Sequence, residues 1–138
     1  MRWNSMSPDE APLQKRLAAI FSDTPGLCFA VLVGSRATGA ASSSSDWDVA
    51  LQWAKPGLDM DTLACEERLR ERLAHALECS LESVDLINLS SAGLAMRAAV
   101  AEEGVPLYGD AELAWFHFLS RTWRELEQWQ WEREHHAA

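Results

Sequence analysis

The fold is decided by the stretch FAVLV-GSRATGAASSSS-DWDVALQW, which spans residues 29–53. Its first five residues are a continuous apolar run bounded by turn-forming residues, a pattern typical of a short strand buried on both faces. Its last eight residues alternate in polarity, which predicts a second strand with Asp46, Asp48, Ala50 and Gln52 on one face. The small-residue segment between the two strands lies inside a compact chain, so we interpret it as an active-site loop.

The other elements follow from capping signals and from the spacing of apolar residues. Helices are expected from Ser7 to about Phe21, from Asp59 to about Cys79, from Ser90 or Ser91 to Glu103, and from Asp110 to about Glu134; further strands are expected at 83–89 and 105–108. The proline of the last strand favours a sheet edge. This order predicts a single domain over residues 1–138, an α/β or α+β fold in which helices pack against one sheet.

Composition limits the function classes. The chain has 138 residues, of which 48% are hydrophobic and 24% charged, enough for an ordinary globular core. Its three cysteines follow no metal-ligand spacing, so we expect reduced, buried thiols in a cytoplasmic protein. No apolar run is long enough for a membrane span and no signal-peptide pattern opens the sequence. A net charge of −9 without a basic patch argues against a nucleic-acid partner.

Three aspartates are the candidate metal ligands. Asp46 and Asp48 project to the same face of one strand, and Asp85 lies in the next predicted strand. Two carboxylates about 5 Å apart repel by roughly 3 kcal/mol at an effective dielectric of 20, and a cation, a proton or open water must relieve that repulsion. Mg²⁺ prefers such oxygen ligands, completed by triphosphate oxygens and water. We expect Asp46 and Asp48 to ligate two Mg²⁺ ions, and Asp85 to ligate the ion that activates an acceptor hydroxyl and to be its candidate general base.

Gly34, Ser35 and Arg36 form the candidate phosphate site. A strand that ends in Gly-Ser and leads into a short helix presents backbone N–H groups and a hydroxyl to an anion. Gly34 has no Cβ and lets the backbone approach closely, and Arg36 adds a positive charge. A triphosphate held between these groups and the metal is suited to nucleotidyl transfer, in which an acceptor hydroxyl attacks the α-phosphorus and pyrophosphate leaves.

Each of these features alone has an ordinary structural interpretation. Gly-Ser is a common turn, and an Asp-x-Asp pair at a strand start is more often exposed and solvated. Asp85, between Val84 and Leu86, could be a capped or ion-paired core residue. The joint spacing of the three features favours a metal and phosphate site over these ordinary interpretations.

The spacing also carries a resemblance to a known family. Gly34-Ser35, ten residues and then Asp46-x-Asp48 resemble the G-S-x10-D-x-D signature of the DNA polymerase β-like nucleotidyltransferases. The stretch VLVGSRATGAASSSSDWDVAL, residues 31–51, is similar to their minimal, MNT-type branch. The resemblance implies the polymerase β-like fold with one mixed sheet, and ATP and Mg²⁺ as substrate and cofactor.

Later segments also resemble this branch, and the chain departs from the family pattern at two places. VDLINL carries the third aspartate at Asp85, EEGVPLYG resembles the branch's last strand, and the resemblance covers about residues 10–110. Trp47 is bulky where the family has a small aliphatic residue. It faces away from the metals, so we expect only packing consequences. The loop at 40–45 lacks positive charge.

The resemblance implies a function for stand-alone domains of this kind. They act as antitoxins beside a HEPN-type RNase toxin, which they silence by transferring AMP from ATP onto a toxin tyrosine. The chain is short for a substrate domain of its own, and its acidic character suits a basic partner. Two alternatives stay open: a small-molecule transferase of the aminoglycoside type, which usually carries an extra domain, and a non-catalytic antitoxin that neutralises its toxin by occlusion.

The last predicted helix, at about 110–134, is rich in tryptophan. One helical stripe is expected to face the core: Leu113, Phe116, Trp123 and Leu126. A second set falls largely off that stripe: Trp115, Phe118 and Trp129. The second set is either ordinary scattered exposure or a patch that contacts the toxin.

Overall fold

The computed structural model describes residues 11–55, 57 and 59–136. The helices are α1 (Ala11–Ser22), α2 (Ser35–Thr38), α3 (Met60–Leu77), α4 (Leu94–Glu103) and α5 (Leu113–His135). The strands are β1 (Leu27–Val33), β2 (Trp47–Trp53), β3 (Val84–Asn88) and β4 (Val105–Tyr108), and one 3-10 turn at Leu81–Ser83 precedes β3. This confirms the expected mixed α/β fold. The predicted helix start at Ser7–Glu10 lies outside the described residues.

The four strands form one mixed sheet in the order β3-β2-β1-β4. β1 pairs antiparallel with β2 and with β4, whereas β2 pairs parallel with β3. β1 is central, and its apolar run is buried on both faces as predicted. Pro106 lies in β4 at the sheet edge. An edge strand has a neighbouring strand on one side only, so a proline without an N–H is tolerated there.

Helices cover both faces of this sheet. α1 and α3 pack one face, in a core that includes Leu17, Phe21, Leu69 and Leu73 with Leu32 and Leu51. α4 and α5 pack the other face, in a core that includes Val100, Trp115 and Phe118 with Phe29 and Val31. Because side chains alternate along a strand, β1 contributes to both cores. None of the helices in the described part of the chain is both long and apolar enough to cross a membrane.

The predicted serine cap of α4 is wrong. The helix begins at Leu94 after Gly93, later than Ser90 or Ser91. Both serines belong instead to a turn centred on Asn88. The side-chain Oδ1 atom of Asn88 accepts a hydrogen bond from the Ser90 amide at 2.9 Å, and the backbone carbonyl of Asn88 accepts one from the Ser91 hydroxyl at 3.2 Å. Such local side-chain bonds compete with helix initiation.

The core-facing side of α5 also differs from the prediction. Trp115 and Phe118 are buried, and their rings lie 5.1 and 5.5 Å from the ring of Phe29 between centroids. Thr122 continues this buried face, with no exposed surface.

The stripe that was expected to face the core is largely exposed. Leu113 retains 67% of its surface, Phe116 52% and Trp123 36%. Both stripes have helical spacing, so periodicity alone could not choose between them. Contact with Phe29 on β1 decides the orientation. Trp129 is exposed, as predicted.

Candidate active site

The parallel pairing of β2 and β3 brings two predicted ligands together. In its register Asp48 lies directly opposite Asp85, and neighbouring strands are about 4.8 Å apart. Asp46 is exposed in the loop immediately before β2. The structure therefore places Asp48 and Asp85 side by side, with Asp46 two residues before Asp48.

The carboxylates interact through their charges. The pKa of the Asp48 carboxyl is raised above its ordinary value, first by burial and then by the negative charges of Asp85 and Asp46. The two charge contributions, which are smaller than that of burial, are of the kind expected for neighbouring carboxylates. A divalent cation at this position would favour the ionised form and reverse the shift.

Gly34 shapes the site because it lacks a side chain. The antiparallel register pairs Val33 with Asp48, so the residue after Val33 lies against the aspartate. Gly34 has φ 73° and ψ −159°, a region that is essentially restricted to glycine. A Cβ atom built on Gly34 would overlap the Oδ2 atom of Asp48. The position of Asp48 therefore requires glycine at the end of β1.

Ser35 begins the short helix α2, as predicted. The Gly34 carbonyl accepts hydrogen bonds from the amides of Ala37 and Thr38 at 3.0 and 3.2 Å. The side chain of Ala37 is fully buried, which anchors α2 to the first core. The turn from Gly34 to Ser35 is therefore held in place beside the aspartates.

Arg36 occupies a place that the sequence did not indicate. Its Nη2 and Nε atoms donate to the Ser45 carbonyl at 2.8 and 3.3 Å, and its guanidinium lies 4.3 Å from the centroid of the Trp47 ring. Nucleotide binding by Arg36 stays a prediction. The contacts in the structure are with the loop that carries Asp46.

A cleft of about 330 Å³ opens beside the aspartate pair. Its lining residues come from three strands or their ends and from α4: Val33, Gly34, Asp48, Asp85, Ile87, Met96, Ala99 and Glu103. Sequence reasoning did not assign α4 to the site. The spacing of Met96, Ala99 and Glu103, at i, i+3 and i+7, is the signal that identifies them as one helical face. The cleft thus has an acidic wall on the sheet and a mostly apolar wall on the helix.

Comparison with known proteins gives the family. The family described as "Polymerase beta, Nucleotidyltransferase" matches residues 15–113, which is most of the chain. The chain belongs to this family. The matched range contains Gly34, Ser35 and all three aspartates, so the family assignment covers every residue of the candidate site.

Several solved structures that are similar to this nucleotidyltransferase are toxin–antitoxin proteins. A chain of a toxin–antitoxin crystallised with AMP-PNP is 28% identical, has a TM-score of 0.68, and is matched over 88% of this chain and 92% of its own. A chain of the complex between tri-AMPylated Shewanella oneidensis HEPN toxin and MNT antitoxin is 26% identical, with a TM-score of 0.64 and coverage of 91% and 92%. A chain of the toxin–antitoxin MntA–HepT is 25% identical, with a TM-score of 0.63 and coverage of 90% of this chain and 92% of its own. No protein of curated function matches the sequence.

The donor set of this nucleotidyltransferase fits Mg²⁺ delivered with a nucleotide. Among residues 11–55, 57 and 59–136, no three Asp, Glu, His or Cys side chains are grouped closely enough to hold a metal ion by themselves. Mg²⁺ at nucleotide sites takes only one or two carboxylates and fills its octahedron with waters and phosphate oxygens. Asp48 and Asp85 provide that pair in an open cleft, and the charge of Asp46 acts on the same place.

Proposed function

We propose that this nucleotidyltransferase transfers AMP from ATP to a hydroxyl of a protein partner, a tyrosine of a HEPN RNase toxin, and thereby acts as its antitoxin. One observation carries the chemical part of the proposal. Asp48 and Asp85 lie in register on adjacent parallel strands beside a glycine that admits no side chain. Such an arrangement of repelling carboxylates is suited to a divalent cation and a phosphate ester.

Each residue of the site has a distinct task in this reaction. Asp46, Asp48 and Asp85 would hold the metal ions, which would neutralise phosphate charge and orient the ester. Gly34 and Ser35 bind the triphosphate through backbone N–H groups and the serine hydroxyl. Asp85 takes the proton from the acceptor hydroxyl. The acceptor oxygen then bonds to the α-phosphorus as the bond to the pyrophosphate leaving group breaks.

The choice of acceptor rests on the relatives and on charge. One similar structure is a toxin–antitoxin with AMP-PNP, and another contains an AMPylated HEPN toxin with its MNT antitoxin. The net charge of −9 favours association with a basic protein and slows association with another copy of the same acidic chain. The three cysteines are unpaired thiols, which suits the reducing cytoplasm that we propose as its location.

Helix α5 is the proposed surface for the toxin. Leu113, Phe116 and Trp123 share one side of the helix by their i, i+3 and i+10 spacing, and this side faces away from the core. Exposed aromatic side chains in a contiguous stripe are typical anchors of protein interfaces. The exposed Glu127 lies on the same side, so the expected counterpart is an apolar patch with basic residues at its rim.

The direct test uses labelled ATP, Mg²⁺ and the toxin encoded beside this chain. Transfer of label to a toxin tyrosine is expected for the wild type, and loss of transfer for Asp48→Asn and for Asp46→Asn. A toxin that is bound and inhibited by the wild type and by both variants, with no label, would support occlusion instead. Label on a small aminoglycoside-like acceptor but not on the toxin would support the small-molecule alternative.

A further inference from the structure

We propose that Arg36 is a positioning residue that fixes Asp46 from both sides. Its guanidinium donates two hydrogen bonds to the carbonyl of Ser45 and stacks on the ring of Trp47. Ser45 and Trp47 are the residues immediately before and after Asp46. One side chain therefore holds both chain neighbours of a proposed metal ligand. The planar, forked guanidinium suits this double task because it can donate and stack at the same time.

The loop that carries Asp46 needs such an anchor. Its small residues allow many backbone conformations, and residues 39–44 are exposed. The Ser42 and Ser45 amides make hydrogen bonds at 2.9 and 3.1 Å, but both bonds run within the loop. Arg36 ties the loop to α2, which the buried Ala37 anchors in the core. The position of Asp46 thus depends on the core through Arg36.

The same geometry argues against Arg36 as a phosphate ligand. Trp47 and Asp48 are successive residues of β2 and point to opposite faces of the sheet. Trp47 packs against the core formed with α1 and α3, whereas Asp48 lines the cleft beside α4. Arg36 stacks on the tryptophan, so its guanidinium lies on the side of β2 away from the cleft. To reach a triphosphate there it would have to leave both of its partners.

The inference rests on the proposed function only in that Asp46 is taken as a metal ligand. Three measurements distinguish a failure of the Arg36 role from a failure of the proposed function. Hydrogen exchange of the loop at residues 39–47 tests the clamp in the metal-free protein. Titration with Mn²⁺, followed by electron paramagnetic resonance, tests the metal site. The affinity for ATP in the presence of EDTA tests direct phosphate binding. The variants are Arg36→Ala, Arg36→Lys and, as control, the exposed Arg72→Ala.

Arg36→Ala is expected to speed exchange in the loop and to raise the half-saturating Mn²⁺ concentration about 10- to 100-fold, the usual loss when a residue supporting a metal ligand is removed. ATP affinity in EDTA is expected to stay the same. Arg36→Lys keeps the charge but loses the fork, so it should recover part of the Mn²⁺ affinity and should fold if the alanine variant does not. Arg72→Ala should match the wild type.

Two results would overturn the role of Arg36. One is unchanged loop exchange and Mn²⁺ affinity in both Arg36 variants. The other is a loss of ATP affinity in EDTA as large as the loss of Mn²⁺ affinity, which would make Arg36 a phosphate ligand. A wild-type protein that binds neither Mn²⁺ nor ATP would contradict the proposed function, while faster loop exchange in Arg36→Ala would still support the clamp.

Discussion

Replacing Gly34 by alanine tests how the end of β1 builds the site. At φ 73° and ψ −159° the new side chain is strained whatever space surrounds it, at a cost of about 1–3 kcal/mol. In addition, its Cβ would overlap the Oδ2 atom of Asp48, so the carboxylate must move. A displacement of about 1 Å at a reacting centre lowers activity roughly 100-fold. Gly34→Ala should therefore lose both stability and function.

A second glycine separates these two effects. Gly26 also has a left-handed φ, of 79°, but a Cβ there meets no atom within 4 Å. Gly26→Ala should lose about 1–3 kcal/mol of unfolding free energy through strain alone, with normal Mn²⁺ affinity and AMP transfer. The measurements are urea denaturation, Mn²⁺ titration and transfer rate for both variants. The reasoning is refuted if Gly34→Ala keeps its Mn²⁺ affinity and rate, or if Gly26→Ala loses them equally.

Three further predictions concern charge and contact. Because the pKa of Asp48 is raised in the folded protein, ionisation of its carboxyl opposes folding as pH rises above the ordinary aspartate pKa. Asp48→Asn should therefore have a higher Tm than the wild type at pH 7 in EDTA. At about pH 3, where the carboxyl is protonated, the two Tm values should be the same. Mg²⁺ should raise the Tm of the wild type but not of Asp85→Asn, since only a bound ion stabilises by mass action; an equal rise in both would place the ion elsewhere. Phe116→Ala or Trp123→Ala should weaken toxin binding by about 2 kcal/mol, measured by calorimetry. Trp129→Ala removes a ring whose exposed fraction, 44%, lies between those of Phe116 and Trp123 but which is on another side of α5, and this variant should bind the toxin normally.

The candidate site was predictable where it depends on local spacing. A two-residue period predicts Asp46 and Asp48 on one face of a strand, but β2 begins at Trp47 and Asp46 lies in the loop before it. Gly-Ser at the end of an apolar run predicts the turn into α2. The nearness of Asp85 was a hypothesis until the parallel register placed it opposite Asp48. The apolar wall of α4 was missed, because no local signal tells which side of a helix faces a cleft.

Helix α5 shows where sequence information ends. Its sequence contains two apolar stripes of similar helical spacing, and the prediction chose the one that the structure leaves exposed. Arg36 is a similar case, since its contact with Ser45 spans nine residues and depends on how the loop folds back.

The sequence by itself determined the order of the elements, the strand buried on both faces, the edge strand and the turn that follows the buried strand. These features follow from patterns within a few residues, where backbone geometry sets the side-chain direction. Only the tertiary structure decided the partner of Asp48, the wall of the cleft, the inner face of α5 and the contacts of Arg36. Each of these depends on packing between segments distant in the chain, and such packing selects among faces that the local pattern leaves equivalent.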